Sequence, residues 1–403
     1  MDWLTGGLLV PVTLMAVETA AAQQTWVVDR YGRPGTDFTD LPAAVAAAQD
    51  GDTLLLRATS TTLSQAEAYE APGLVDGKGL VIRGEDHTTP VAVYGYWDVR
   101  NLPSQSSFVV SKLTLSGLFN VNCFAWFFGP NDGPVAFDRV RVLPIAHCGS
   151  LIGPVSRFRD CDLVSLTQCQ IDASDWAWAI EGSKVMMTDT TVTQTQGSIV
   201  NTHMVGTLRV TDSELWIAGG RVEGPSEYLS HHVASSPLWL CRSVVHLSAG
   251  ARVIGGTTLG GFRYPPASGT CDPWPDVYYD STVQLSLSGI TRVNWIATPQ
   301  VGVRTTQQGA TLTIRQDFGQ PSSATLLLIG AIQTPPWSAG IGPVFVDPTA
   351  VWSDLRLGPQ PSLVLQSFAI PPGVPLGTQL GVQAFGWTPA GGFLASNLAT
   401  IGF

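Results

Sequence analysis

Thr36-Asp37-Phe38-Thr39-Asp40-Leu41-Pro42-Ala43-Ala44-Val45-Ala46-Ala47-Ala48-Gln49-Asp50-Gly51-Asp52-Thr53-Leu54-Leu55-Leu56 carries three signals in close succession. Leu41 to Gln49 is rich in Ala and Val, and a helix there would place Leu41, Val45 and Ala48 on one face. Pro42 near its start and Gly51 past its end fit the usual punctuation of a helix. Asp50-Gly51-Asp52 stops it, and Thr53-Leu54-Leu55-Leu56 begins an apolar strand. Upstream, Val27-Val28 reads as a short strand that runs into the polar turn Asp29-Arg30-Tyr31-Gly32.

Further along, short alternating runs recur. Leu80 to Gly84, Phe108 to Leu115 and Val135 to Val142 are each apolar at alternate positions. A tighter echo follows in Arg159-Asp160-Cys161-Asp162-Leu163, Thr188-Asp189-Thr190-Thr191-Val192 and Thr211-Asp212-Ser213-Glu214-Leu215. Asp138, Asp160, Asp189 and Asp212 are spaced 22, 29 and 23 residues apart. Leu238 to Leu247 and Val283 to Leu287 are looser members. A repeat of roughly 20–30 residues with period-2 alternation inside each unit is the mark of a stacked β-solenoid. One coil cannot bury its inner face alone, whereas stacked coils pair every backbone group and share a core. The recurring Asp suits a tight polar corner between strands. Open ends of such a stack would pair with other chains, so a cap is expected, and Leu41 to Gln49 can serve as one.

With those residues in view, the opening from Thr36 to Leu56 resembles the start of right-handed parallel β-helix proteins of the pectate-lyase-like superfamily, over about residues 26–305. The resemblance implies an all-β fold, a right-handed parallel β-helix with an N-terminal capping helix. It does not imply a reaction. From residue 306 the composition shifts. Ala310 to Ile314, Thr325 to Ile329, Pro343 to Val346, Leu363 to Phe368, Leu380 to Phe385 and Phe393 to Ile401 read as six strands between Pro/Gly turns. They predict a small antiparallel β-sandwich over 306–403. Its ending, Gln379 to Phe385 through Leu394 to Asn397, is similar to C-terminal modules on exported proteins of planctomycete- and myxobacteria-type bacteria. That likeness implies an accessory or surface-display role.

Composition narrows the function classes. Charged residues make up 13% of the 403-residue chain, against roughly 25% in an average soluble domain. With 42 Gly, 28 Pro and a net charge of −10, the chain lacks the basic face that nucleic acid or anionic lipid would need. Residues 1–22 read as a secretory signal: Leu8 to Val17 is apolar and Thr19-Ala20-Ala21-Ala22 suits cleavage. A basic leader is missing, since Asp2 is the only charge before Glu18; a buried or frayed N-terminal segment is the competing reading. No later apolar run reaches the ~20 residues of a membrane span. The expectation is a secreted or cell-surface protein.

The six cysteines include no Cys-x-x-Cys pair, so a zinc ribbon is unsupported. Cys123, Cys148 and Cys169 lie 25 and 21 residues apart; on neighbouring coils they could be stacked buried thiols or disulfides. Cys241 and Cys271 bracket a Pro/Gly-rich excursion and are the better disulfide candidates.

Three constellations could carry chemistry. Glu223, Glu227, Tyr228, His231 and His232 lie in an insertion, Gly219 to Pro237, where two His beside two Glu could shuttle protons or bind a metal. The plainer reading is a solvated loop. Asp172, Asp175, Trp176, Trp178 and Glu181 put indoles beside carboxylates, which suits sugar binding; alternation alone would instead turn Trp176 and Trp178 into the core. Asp272, Asp276 and Asp280, with Trp274, Tyr278 and Tyr279 among them, supply oxygen ligands that would suit Ca²⁺. A rigid Pro/Asp loop closed by Cys241 and Cys271 explains them as well. His87, His147, His203 and His246 are scattered and read as structural. No cofactor fingerprint is evident. The Asn-Thr-Asp, Asp-Asp, Gly-His-Gly and Arg-Ile-Lys strings of polygalacturonases are absent, as are the Trp-x-x-His and Arg-x-Pro-x-x-Arg patterns of pectate lyases. The leading expectation is therefore a non-catalytic glycan-binding, adhesion or structural protein. The alternative is a carbohydrate-active enzyme, a polysaccharide lyase or glycoside hydrolase, working along a β-helix groove.

Overall fold

A computed structural model describes residues 23–58, 68–85, 90–116, 126–143, 156–172, 178–193, 207–224, 238–248, 250–254, 276–279, 283–286, 294–297, 302–308, 311–318, 321–339, 342–370, 379–391, 393–396 and 399–402. Up to residue 297 the chain winds through three parallel sheets of 11, 9 and 7 strands, each strand pairing with its counterpart in the coils before and after. Val135–Asp138, Arg141–Val142 and Ser156–Arg159 make one such coil, pairing forward with Val164–Thr167, Gln170–Asp172 and Trp178–Glu181. The fold is an all-β parallel solenoid.

Alternation sets what the coil encloses. Val135 and Phe137 from the first sheet, Val142 from the second and Phe158 from the third all reach one core. Aromatic rings run through it without a break: Phe128 lies 5.3 Å from Phe137 and 5.6 Å from Phe158, and Phe158 lies 5.5 Å from Trp178. Offset and edge-on ring pairs at these separations add to the burial of their large surfaces.

Two of the three corners turn on a residue at positive φ and tighten along the stack. Lys112, Arg139, Gln168 and Asp189 turn the chain from the first sheet to the second, and Asn101, Asp160, Asp212 and Arg242 turn it from the third to the first, all at positive φ. The Asp echo of the sequence thus marks corners at Asp160, Asp189 and Asp212. Asp138 does not belong with them: it lies in the strand Val135–Asp138, and Arg139 makes the turn. A hydroxyl ladder stacks inside the corner from third to first sheet. Cys161 N–H donates to Ser183 Oγ (3.0 Å), Ser183 N–H to Ser213 Oγ (3.1 Å) and Ser213 N–H to Ser243 Oγ (3.3 Å). Each serine satisfies a backbone donor of the neighbouring coil that the turn leaves buried. The third corner, from second to third sheet, carries the variable connections. It is two residues between Glu70 and Gly73, but spans the positions between Thr193 and Leu208 and between Glu223 and Leu238 further on.

The opening stretch forms the helix Leu41–Ala47, shorter than the predicted Leu41 to Gln49. Asp40 accepts from Ala43 N–H at 2.8 Å as its N-cap, and Lys78 Nζ donates to Ala48 O at 2.9 Å beyond its C-terminal end. Leu41, Ala44, Val45 and Ala48 pack on the solenoid core. Asp52 ties the region together. Its carboxylate accepts from Gln24 N–H (2.9 Å), Trp26 Nε1 (3.0 Å) and Gln49 N–H (2.8 Å), joining the first strand to the helix exit. Burial alone would raise the Asp52 pKa, yet these hydrogen bonds hold it below the usual carboxylate value. Asp50 reaches the other way, to Gly79 N–H (2.6 Å) and Ser106 Oγ (2.9 Å) on later coils.

Beyond the solenoid the pairing turns antiparallel. Gly302–Gln308, Thr311–Asp317 and Leu363–Ala369 form one sheet; Gly342–Gln360, Ser322–Ala339, Gln379–Trp387 and Phe393–Ala395, with Ala399–Gly402, form another. The first of these strands was not anticipated, and the predicted run Phe393 to Ile401 is two strands. Val303, Ile314, Phe318, Leu327 and Val382 make a separate core between the sheets. This unit lies against the outward face of the first solenoid sheet. Leu328 and Val346 pack on Leu163, Met186 and Trp216, and Gln168 Nε2 donates to Thr305 O at 3.3 Å.

Candidate functional site

Among the described residues of the solenoid, the outward faces of the second and third sheets carry the polar columns that could meet a ligand. On the second sheet, Thr114, Arg141, Gln170, Thr191, Arg221, Arg252 and Gln284 stack in register. Asp172, Thr193 and Glu223 form the next column, and Arg221 Nη2 sits 2.5 Å from Glu223. Arg221 and Glu223 neutralise each other along their strand, whereas the strands of Arg141 and Arg252 carry no acid.

The third sheet differs. Strands Ser156–Arg159, Trp178–Glu181 and Leu208–Thr211 place Arg157, Ala179 and Arg209 in one outward column. Neighbouring strands are about 4.8 Å apart, so Arg157 and Arg209 lie two strand spacings apart with Ala179 between them. Ala179 is fully buried, although it faces away from the core. Beside that column stand Arg159, Glu181 and Thr211, and Arg157 Nε lies 3.6 Å from Glu181. At the N-terminal end of the same sheet, Tyr96 and Leu74 are exposed, and Tyr96 Oη donates to Asp98 at 3.1 Å. Planar donors beside a carboxylate on a flat surface can hydrogen-bond hydroxyls, carboxylates or sulfates of a ligand. The sequence reading passed over Arg157 and Arg209. The available signal was Ser156-Arg157-Phe158-Arg159 and Leu208-Arg209-Val210-Thr211, where arginine alternates with core residues.

The residues singled out from the sequence are dispersed. Trp178 faces the core against Phe158, so it is out of reach of a surface sugar. Asp172 belongs to the second sheet and Glu181 to the third, and the two are not brought together; Asp175 and Trp176 lie outside the described residues. Glu223 pairs with Arg221, whereas Glu227, Tyr228, His231 and His232 lie outside the described residues. Asp276 begins the strand Asp276–Tyr279; Asp272, Trp274 and Asp280 lie outside. Tyr278 stacks on His246 at 5.0 Å, and His246 stacks on Trp216 at 5.3 Å with Nε2 3.5 Å from Glu214. His246 is thus a partnered structural residue; His87, His147 and His203 lie outside the described set. Among the described residues no cluster of three His, Cys, Asp or Glu side chains is placed to hold a metal.

Cys161 and Cys169 are buried free thiols, and burial pushes both up to about 12, which leaves them unreactive. Cys241 is disulfide-bonded; its expected partner Cys271 lies outside the described residues, with Cys123 and Cys148. Among the described residues no helix is long and apolar enough to cross a membrane. No protein-family model matches the chain, and no curated protein matches it.

Proposed function

We propose that this chain is a secreted or cell-surface right-handed parallel β-helix protein of the pectate-lyase-like superfamily, and that it binds glycan, for adhesion or as a structural element, without turning it over. In this reading the helix Leu41–Ala47 caps the first coil and the C-terminal unit is a β-sandwich module for surface display. The observation that carries the reading is the outward face of the third sheet, where Arg157 and Arg209 flank Ala179 and Glu181 stands beside them. Such a surface offers donors and acceptors to sugar hydroxyls or acidic substituents. Hydrolysis would need two carboxylates on either side of a bond, and Glu181 has no carboxylate neighbour in its outward column, which reads Arg159, Glu181, Thr211.

A glycan array and polysaccharide pull-down test this with the wild type and an Arg157→Ala/Arg209→Ala variant. Binding by the wild type that weakens about tenfold or more in the variant is expected, since a charge-assisted hydrogen bond contributes about 1.5–3 kcal/mol. Failure of the wild type to bind any polysaccharide or cell surface ends the reading. The alternative, a polysaccharide lyase or glycoside hydrolase, draws on the Arg157–Glu181 pair, which sets a carboxylate beside a cation. Turnover of any polysaccharide, measured with and without Ca²⁺ and lost in Glu181→Gln, would favour it.

A further inference from the structure

We propose that the C-terminal unit makes a dimer, with the strand Gly342–Gln360 pairing antiparallel with the same strand of a second copy about a two-fold axis at Leu355. Among the described residues this strand ends its sheet, pairing with Ser322–Ala339 on one side. Leu363–Ala369, which follows it in the chain, ends the other sheet. A terminal strand presents unpaired N–H and C=O groups, and what satisfies such a row is another strand. The side chains agree. Trp352, Leu355 and Leu357 on the first strand and Leu363 and Leu365 on the second are the large hydrophobics that this unit exposes among its described residues, with Leu357 at 78% and Leu365 at 62%.

The occupant follows from the sequence of the strand, Trp352-Ser353-Asp354-Leu355-Arg356-Leu357-Gly358. Reversed on itself about Leu355, it sets Asp354 opposite Arg356 of the copy, twice, and Leu355 opposite Leu355. Opposite charges directly across a pair of strands are favourable and like charges are not. Within one chain Asp354 Oδ2 accepts from Arg356 Nε at 2.8 Å and from Gln366 Nε2, so pairing across the axis exchanges one arginine for its copy. The regular ladder ends at Leu357, because Gly358 is at positive φ and the register with the neighbouring strand shifts there. Pro359, which has no N–H, ends the pairing where the strand itself ends. An interface that is its own complement about a two-fold axis closes as a dimer and does not propagate.

Sedimentation of the full chain over a concentration series tests the proposal, together with three variants and their thermal melting. The wild type is expected to dimerise. Leu355→Lys, which sets two ammonium groups face to face on the axis, is expected to be monomeric with unchanged melting of the fold. Asp354→Arg sets cations opposite cations and is expected to be monomeric. The double variant Asp354→Arg/Arg356→Asp restores the complement and is expected to dimerise again. A wild type that stays monomeric up to its solubility limit overturns the proposal. So does a Leu355→Lys variant that still dimerises, or a double variant that melts like the wild type and stays monomeric. Leu355→Lys decides the matter alone if the charge variants fail to fold.

Discussion

The first and second solenoid sheets come from the same coils, one tight corner apart, yet they treat their outward residues in opposite ways. Outward positions of the first sheet are buried whether apolar, as at Val109, Ala136, Met186 and Trp216, or polar, as at Ser111, Asp138, Thr167 and Thr188. Outward positions of the second sheet are buried on its early coils, at Ala92 and Thr114, but Arg141, Gln170 and Arg252 are exposed. The backbone is the same in both. What differs is the antiparallel unit against the first sheet, so the outside of a solenoid face is specified by its neighbour as much as by its own strands.

The strongest way to break the comparison is to remove that neighbour. A chain ending at residue 301 should uncover Met186 and Trp216, bind a hydrophobic dye and aggregate; a soluble monomer that does not bind the dye would show that the first sheet needs no cover. Next in size, Trp216→Ala should destabilise by about 3–5 kcal/mol, as buried aromatic truncations do. The outward Thr191→Ala of the second sheet should change stability by less than about 0.5 kcal/mol. Denaturant unfolding measures both, and equal costs would erase the distinction between the two faces.

The N-terminal end of the stack offers a third contrast, because charge does there what the antiparallel unit does on the first sheet. Asp52→Asn should cost about 2 kcal/mol at neutral pH, since two of its three donors lose a charged acceptor. The pKa of Asp52 is depressed on folding, so its contribution is full above the unfolded value of about 3.9 and is lost as pH falls through the lower folded value. The gap between wild type and Asp52→Asn should therefore hold at pH 6 and shrink below about pH 4; a gap that widens in acid refutes the assignment. Opposite in sign is Arg83→Met. Arg83 lies on the covered face with Nε and Nη1 buried and unpartnered, near the Arg139–Asp138 pair. Replacing it should stabilise the fold by about 1 kcal/mol, by removing desolvated donors that nothing satisfies.

How much of this was legible in the sequence depended on how local the cause is. The helix and the apolar strand after it follow from neighbouring residues and were readable; the Asp40 cap is equally local but was passed over. The Asp corners were readable too, because Asp tolerates the left-handed backbone that a one-residue turn requires. Lys112, Arg139 and Gln168 make the same turn without a favourable propensity, and no local signal marks them. Asp52 was read as a helix stop, while its acceptor role depends on Gln24 and Trp26, whose distance along the chain hides the contact. Trp178 was weighed between surface and core, and alternation alone held the answer. Arg157 and Arg209 were missed because their partnership exists only once the coils are stacked. The burial of the first sheet's outward face had no reading at all, since its cause lies more than a hundred residues downstream.

The uneven corners carry a consequence for how such a chain can change. Where a single residue turns the backbone, an inserted residue shifts every later side chain by one place and turns the core outward. Between the second and third sheets, connections range from two residues to more than a dozen while the strands on either side keep their register. New sequence enters most freely at that edge, one coil at a time, while the other two corners lengthen only on the early coils, as at 57–68 and 101–107. A peptide grafted between Glu70 and Gly73 would be held at a known height on a rigid stack, with its neighbours undisturbed.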